Sequence, residues 1–224
     1  MTSLNLRLQA LAAILAALAG YVDASGFLAT GGFFVSFMSG NSTRLGIGAA
    51  QDPEVAAVAA GLIGAFSAGI VLGAIAGDKA GDRRRPVVLG LVAMLLAAAA
   101  GLGTAGLVSG SVVAMAMAMG VENNVFARNG QVSLGVTYMT GSLVKLGQGI
   151  AKALLGRDRF GWVPYLVLWL GFVLGVGVGT VVFRHVGLAG LWGAAALAGV
   201  LVLATAPGRV RRPSGAVASS DDPG

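Results

Sequence analysis

Eight apolar stretches, separated by short polar joints, follow one another along almost the whole chain. They cover residues 8–29, 32–50, 53–77, 86–108, 111–126, 134–154, 162–183 and 187–206. A helix of about 20 apolar residues crosses a hydrocarbon core of roughly 30 Å. Pro53 and Pro86 stand at the start of two stretches, where the first turn of a helix accepts proline. The pattern predicts an all-α integral membrane protein.

The composition agrees with this prediction and excludes two other classes. Of 224 residues, 56% are hydrophobic and only 11% are charged, which excludes an ordinary water-soluble domain. The 37 glycines suit membrane helices, where small residues let backbones approach closely. The net charge is +6, but the basic residues fall in the joints, where they orient a membrane protein. We therefore predict no nucleic-acid partner.

One motif occurs twice, 101 residues apart. Residues 37–46 read Phe-Met-Ser-Gly-Asn-Ser-Thr-Arg-Leu-Gly, and residues 138–147 read Tyr-Met-Thr-Gly-Ser-Leu-Val-Lys-Leu-Gly. The similarity extends further along the chain. Gly20 and Asp23 recur 100 residues later as Gly120 and Asn123, and a Gly-xxx-Gly-xxx-Gly run recurs 102 residues later, with Gly69, Gly73 and Gly77 matching Gly171, Gly175 and Gly179. We therefore predict one membrane domain, residues 1–207, made of two repeats at about 7–107 and 108–207, followed by a disordered basic to polar tail at 208–224.

The repeated motif also bears on topology. Glycine and polar side chains at membrane depth must line a cavity or be buried in protein. If both motif stretches are re-entrant hairpins, every loop cation except Arg184 falls on the cytoplasmic side, together with both termini. Each repeat then has three spanning helices, so the two repeats are inverted. Because about 20 residues also suffice for a kinked spanning helix, the sequence leaves both arrangements open. The first stretch is longer than the apolar part of a signal peptide, so we interpret it as a spanning helix.

Few polar residues fall inside the apolar stretches, and such residues are candidates for function by default. We predict a solute site at the interface of the repeats. Its residues are Asp23, Ser39, Gly40, Asn41, Arg44, Glu122, Asn123, Thr140, Gly141, Ser142 and Lys145. In this prediction the glycines open the helices, the exposed helix ends bind an anionic group, and Asp23 or Glu122 couples transport to protons. Two structural alternatives remain: ion pairs of Asp23 with Arg44 and of Glu122 with Lys145, or cations that extend to the interface.

Other chemistries have no motif in this sequence. It contains no cysteine, no His-Glu-x-x-His zinc motif and no phosphate-binding Gly-Lys-Ser/Thr loop. Its single histidine, His185, lies in a joint and has no visible ligand partners. We predict neither a metal nor a cofactor.

Four segments carry a resemblance to a known family. They are Gly20-Tyr-Val-Asp-Ala24, Phe34-Val-Ser-Phe-Met-Ser-Gly-Asn41, Gly120-Val-Glu-Asn123 and Thr137-Tyr-Met-Thr-Gly141. In this order they resemble the YoaK family of uncharacterised bacterial multi-pass membrane proteins, over nearly the whole chain to about Ala206. Glu122, Asn124 and Ser39 depart from the Gln, Ala and Thr usual in that family, and the first departure weakens an acid role for Glu122. The resemblance implies a bacterial inner-membrane location and no established substrate.

The sequence thus predicts a secondary transporter or permease of a small solute, in contact with the lipid bilayer. A membrane-embedded enzyme acting on lipid is an alternative, although no nucleophile and base beyond the same acids are visible. A non-catalytic partner of another membrane complex is a third interpretation. Association of the chain with itself stays open.

Overall fold

The computed structural model describes residues 6–128, 131–132 and 137–206. Within them the chain forms eight α-helices: α1 Leu6–Thr30, α2 Met38–Gln51, α3 Pro53–Ala80, α4 Arg84–Thr104, α5 Val108–Glu122, α6 Met139–Leu154, α7 Val163–Val186 and α8 Leu191–Thr205. Short 3-10 turns occupy Gly81–Arg83 and Gly187–Gly190. Two-residue strands, β1 Ala127–Arg128 and β2 Gln131–Val132, pair antiparallel in the joint before α6. The helical class is confirmed, and the predicted tail lies outside the described residues.

Local sequence explains where several helices begin and end. Asp52 accepts hydrogen bonds from the N–H groups of Glu54 at 3.0 Å and Val55 at 3.3 Å, and Pro53 occupies the first turn of α3. The charged joint predicted at 78–85 is largely helical, which corrects that prediction. Gly81, with φ of 53°, allows the chain to turn between α3 and α4 within three residues.

Three helical stretches are long and apolar enough to cross a membrane. They are Leu6–Thr30, Pro53–Thr104 and Val163–Thr205, of which the second contains α3 and α4 and the third contains α7 and α8. Helix α5 is a shorter apolar helix of 15 residues, about 22 Å long. Helices α2 and α6, with 14 and 16 residues, are only about 21 and 24 Å long. Helices α2, α5, α6 and α8, with 14 to 16 residues, are each shorter than a core of roughly 30 Å.

Glycines let the central helices touch backbone to backbone. Helix α1 packs along α7, and α3 packs along α5. A Cβ added at Gly20 would overlap the carbonyl oxygen of Phe172, and one added at Gly120 would overlap that of Phe66. The order of such contacts along each pair, with Gly175 opposite Ala17 and Gly179 opposite Tyr21, makes α1 and α7 parallel. The pair α3 and α5 is parallel for the same reason, since Gly69 faces Met117 and Gly73 faces Val121.

These two crossings correct the predicted alignment of the Gly-xxx-Gly runs. Gly69 and Gly73 have the same places in the α3–α5 crossing that Gly175 and Gly179 have in the α1–α7 crossing. The glycines that correspond in this way are 106 residues apart in the chain. The sequence comparison had matched them 102 residues apart, one helical turn short. A glycine every fourth residue gives the same pattern after each turn, so the sequence alone does not distinguish the two alignments. Gly77 faces the side chain of Arg84 instead of α5.

The helix ends gather at two opposite ends of the bundle. Arg7 of α1 and Arg85 of α4 line one cavity together with the last turn of α8, and we name this the basic end. Thr30 of α1 lines another cavity with Val58 of α3 and Val108 of α5, and we name this the opposite end. The largest buried side chains of the core, which include Leu15, Leu89, Leu96 and Met115, lie between the two ends.

Candidate functional site

The first turns of α2 and α6 line one cavity of about 250 Å³. Its lining consists of Ser36, Phe37, Met38, Ser39, Phe66, Thr137, Tyr138, Met139 and Thr140. All of these except Phe66 come from the two copies of the repeated motif or from the residue directly before each copy. The two motif copies, far apart in the chain, therefore share one cavity.

The same backbone turn precedes both helices. Phe37 has φ −91° and ψ 74°, and the N–H of Met38 donates to the carbonyl of Ser36 at 3.2 Å. Tyr138 has φ −84° and ψ 66°, and the N–H of Met139 donates to the carbonyl of Thr137 at 3.0 Å. Both residues are thus the centre of an inverse γ-turn, a common way to change chain direction. The break in each apolar stretch lies before the motif glycine.

The motif glycines make room for aromatic rings. A Cβ at Gly40 would lie 2.9 Å from ring atoms of Phe34 and Phe37. A Cβ at Gly141 would overlap the ring of Tyr138. Both glycines lie inside their helices, so our expectation that they open the helix is wrong. Their missing side chain lets the ring of the turn residue fold against the first turn.

Asp23 and Asn123 hold the segments that lead into the two half-helices. Asp23 is 4% exposed, and its Oδ1 accepts the N–H groups of Val35 and Ser36 at 2.8 Å each. Asn123 accepts the hydroxyl of Thr137 at 3.0 Å through its side-chain oxygen. Ser36 and Thr137 are themselves 101 residues apart. The turn before α2 is therefore fastened to α1, and the turn before α6 to the residue after α5, through one polar side chain each.

Asn41 and Ser142 act within the same turns. The Asn41 amide donates to the carbonyl of Phe34 at 2.6 Å and accepts the N–H of Phe34 at 3.1 Å. The hydroxyl of Ser142 donates to the carbonyl of Tyr138 at 3.4 Å. Both side chains are buried, and neither is among the described residues that line the cavity. They stabilise the turns and leave the cavity surface to Ser39 and Thr140.

The motif cations lie elsewhere. The Arg44 guanidinium is 4.8 Å from the centre of the Phe33 ring, and Lys145 Nζ is 5.7 Å from that of Tyr165. In the described part of the chain the one ion pair joins Arg84 to Asp78 at 2.7 Å. The alternative that pairs Asp23 with Arg44 and Glu122 with Lys145 is therefore wrong. The described lining of the cavity includes neither cation.

Glu122 occupies an apolar environment away from the cavity lining. It is 0% exposed, and neither carboxyl oxygen has a hydrogen-bond partner among the described residues. Val22, which precedes Asp23 as Glu122 precedes Asn123, is also 0% exposed. Burial of an unpartnered carboxyl is unfavourable in any protonation state. Glu122 is not among the described residues that line the cavity.

Seven lining residues were missing from the predicted site, and four of them, Phe37, Met38, Tyr138 and Met139, belong to the repeated motif itself. Ser36 and Thr137 stand one residue before the repeated motif, so extending the 101-residue comparison by one position would have found them. Phe66 comes from α3, and nothing in the sequence distinguishes it from other apolar residues of that helix.

The cavity chemistry combines hydroxyls, thioethers, aromatic rings and two helix amino termini. Neither α2 nor α6 has a side-chain N-cap hydrogen bond. Some N–H groups of the two first turns already have a carbonyl partner, since Met38 donates to Ser36 and Met139 donates to Thr137. The other N–H groups of these turns carry the partial positive charge of a helix amino terminus. The arrangement is therefore suited to a small ligand that accepts hydrogen bonds.

Known proteins support the membrane assignment. Residues 11–204 match a family described as "Protein of unknown function (DUF1275)". The chain is 36% identical over 206 residues to the UPF0700 transmembrane protein RA0705 of Rhizobium meliloti (strain 1021), covering 88% of this chain and 85% of that protein. No solved structure matches the chain. Neither match carries the name YoaK, so the resemblance to that family stays a prediction. The chain belongs to the DUF1275 family and is a transmembrane protein.

Proposed function

We propose that the protein is a secondary transporter or permease whose small solute binds between the first turns of α2 and α6. The observation that carries this proposal is the shared cavity, which both copies of the motif line. Broken helices that meet near the middle of the bilayer form the substrate sites of many transporters.

Helix directions support an inverted repeat with two re-entrant hairpins. Helix α1 runs from the basic end, at Arg7, to the opposite end, at Thr30. Helix α5, the first helix of the second repeat, runs the other way, since Val108 lies at the opposite end and the residues after Glu122 lie beside Arg85. Helix α2 joins two helices at the opposite end, and α6 joins two helices at the basic end. The hairpins would then enter the bilayer from opposite sides and meet at the cavity.

The charges of the joints support an orientation. Lys79, Arg83, Arg157 and Arg159 belong to joints at the basic end, whereas Arg184 closes α7 at the opposite end. Basic loops remain on the cytoplasmic side of bacterial membranes. We therefore propose an inner-membrane protein with its basic end in the cytoplasm, together with the first and last described residues of the chain, Leu6 and Ala206.

The cavity favours a small neutral or anionic solute. Its volume of about 250 Å³ lies slightly below the usual range of ligand pockets, which excludes a large substrate. The partial positive charge of two helix amino termini attracts anionic groups and disfavours cations. Within the described lining the polar side chains are hydroxyls, so discrimination rests on hydrogen bonds and size.

Asp23 has a positioning role in this proposal. Its Oδ1 already accepts two backbone N–H groups, and those bonds fix the segment that carries Ser36 and Phe37 into the cavity wall. Loss of these bonds would displace the wall. We propose that Asp23 acts on the solute only through that segment.

Flux into proteoliposomes tests the proposal. Formate, glycerol and urea serve as probes, and light scattering follows swelling of vesicles with and without protein. Ser39→Phe fills the cavity and should abolish any protein-dependent flux. Ser42→Phe is the matched control, because Ser42 is exposed on the same helix and outside the described lining, with its hydroxyl bonded to the carbonyl of Met38 at 2.8 Å. Flux that both variants retain would contradict a pathway through this cavity.

A further inference from the structure

A long groove lies between α1 and α8, outside the cavity described above. Two cavities of about 630 and 580 Å³ share Ile14 as a lining residue and follow α1 from Arg7 to Tyr21. The groove exists because α8 packs along α4 but contacts α1 at only a few places. Helices α4 and α5 pack closely, with the Ser111 hydroxyl donating to the carbonyl of Ala99 at 2.7 Å, whereas α1 and α8 leave open space between them.

The two parts of the groove differ in chemistry. The inner part is apolar, with Leu18, Val178 and Leu197 on its walls and Gly193 on its α8 side. Its polar group, the hydroxyl of Tyr21, already donates to the carbonyl of Gly190 at 2.7 Å. The outer part, at the basic end, combines an apolar wall with two cations, Arg7 and Arg85.

Arg7 and Arg85, at the basic end of the groove, indicate that its occupant carries negative charge. Arg85 is exposed and also lines the neighbouring cavity beside Asp82 and Arg84. Arg84 is engaged with Asp78 at 2.7 Å and with the carbonyl of Asn124 at 3.2 Å, whereas Arg85 forms no ion pair within the described residues. Basic pockets between membrane helices at the cytoplasmic surface bind the phosphates of anionic lipids.

We propose that this groove binds one anionic phospholipid. Its phosphate lies at Arg85 and Arg7, and one acyl chain follows α1 towards Tyr21. The 14 residues between Arg7 and Tyr21 span about 21 Å, longer than the roughly 15 Å of hydrocarbon in one leaflet. The groove is thus long enough for an acyl chain and has its positive charge where the headgroup of that chain would lie.

Native mass spectrometry of the delipidated full-length protein tests the headgroup part. Phosphatidylglycerol should form a one-lipid adduct at lower concentration than phosphatidylcholine with the same acyl chains. Arg85→Gln should weaken phosphatidylglycerol binding about fivefold, since one cation near the lipid surface contributes about that factor. Arg83→Gln makes the same charge change outside the groove lining and should leave binding unchanged.

A second pair of variants tests the acyl-chain part. A Cβ at Gly193 or at Gly199 meets no atom within 4 Å, so both positions accept a larger side chain. Gly193 lines the groove and Gly199 does not. Gly193→Leu should abolish the adduct with both lipids while the melting temperature stays within a few degrees of the wild type. Gly199→Leu should bind lipid as the wild type does.

Three outcomes would overturn the proposal. The first is an adduct that forms equally with both lipids and is unchanged in Arg85→Gln. The second is a homodimer that Gly193→Leu dissociates, which would assign the groove to a second copy of the chain. The third is the absence of any lipid adduct. Each outcome is independent of solute flux, so the transport proposal stands or falls separately.

Discussion

The backbone N–H of Ser36 lies 2.8 Å from Oδ1 of Asp23, a bond that joins the wall of the cavity to the second half of α1. The hydroxyl of Thr137, on the other side of the cavity, makes a similar connection to Asn123 at 3.0 Å. An acid and an amide thus perform the same structural task, because each offers an oxygen acceptor at the same place.

Replacement of Asp23 separates a structural role from a chemical one. Asp23→Ala leaves two buried N–H groups without a partner, so it should cost about 3 kcal/mol of stability, measured by denaturation in detergent. Asp23→Asn keeps an oxygen acceptor and should cost about 1 kcal/mol. A normal melting curve for Asp23→Ala, with flux lost, would show instead that the carboxyl acts on the solute or on a coupled proton.

The glycines of α2 provide a matched pair. Gly40→Ala pushes a methyl group against the rings of Phe34 and Phe37 and should destabilise the protein by about 1–3 kcal/mol. Gly46→Ala, two turns further along the same helix, meets no atom within 4 Å and should stabilise it by about 0.5–1 kcal/mol. Equal effects on the melting temperature would contradict the role assigned to Gly40.

The crossing of α1 and α7 depends on a smooth glycine surface. A Cβ at Gly175 overlaps the carbonyl of Ala17, so Gly175→Ala should separate the helices and destabilise the protein by about 1–3 kcal/mol. Gly177 lies on the same helix with no atom within 4 Å of an added Cβ. Gly177→Ala should therefore unfold at the wild-type temperature or slightly above it, and a loss equal to that of Gly175→Ala would contradict the crossing.

Replacing Glu122 by an apolar residue should stabilise the folded protein. Its carboxyl is buried without a partner among the described residues, so Glu122→Met should raise the free energy of unfolding by about 1–3 kcal/mol. Glu122→Gln, which retains a buried polar group, should gain less. A loss of stability or of flux in Glu122→Met would show that the carboxyl has a functional partner.

Much of the fold was predictable because membrane helices have strong local signals. The apolar length of each stretch and the positions of Pro53 and Pro86 placed six of the eight described helices within about four residues, whereas α2 and α6 begin six and five residues later than predicted. The repeated motif predicted a common solute site, which stays a prediction; the structure shows that Ser39 and Thr140 line one cavity.

The errors concern side chains whose partners come from elsewhere in the fold. A sequence does not show that Gly40 faces aromatic rings, or that Arg44 lies over Phe33 instead of beside Asp23. Phe66 lines the cavity because of the way α3 packs, and the residues around Phe66 in the sequence do not indicate that packing.

Cross-linking of Ser39→Cys with Thr140→Cys tests the central claim most directly, because the natural chain has no cysteine. A protease site inserted in the turn at 105–107 allows the two halves to be cut apart. A short bis-thiol reagent should keep the cleaved halves together in this double variant and should fail with Ser42→Cys and Thr140→Cys. Halves that separate in the first variant, or cross-link equally in both, would contradict a cavity shared by the two motif helices.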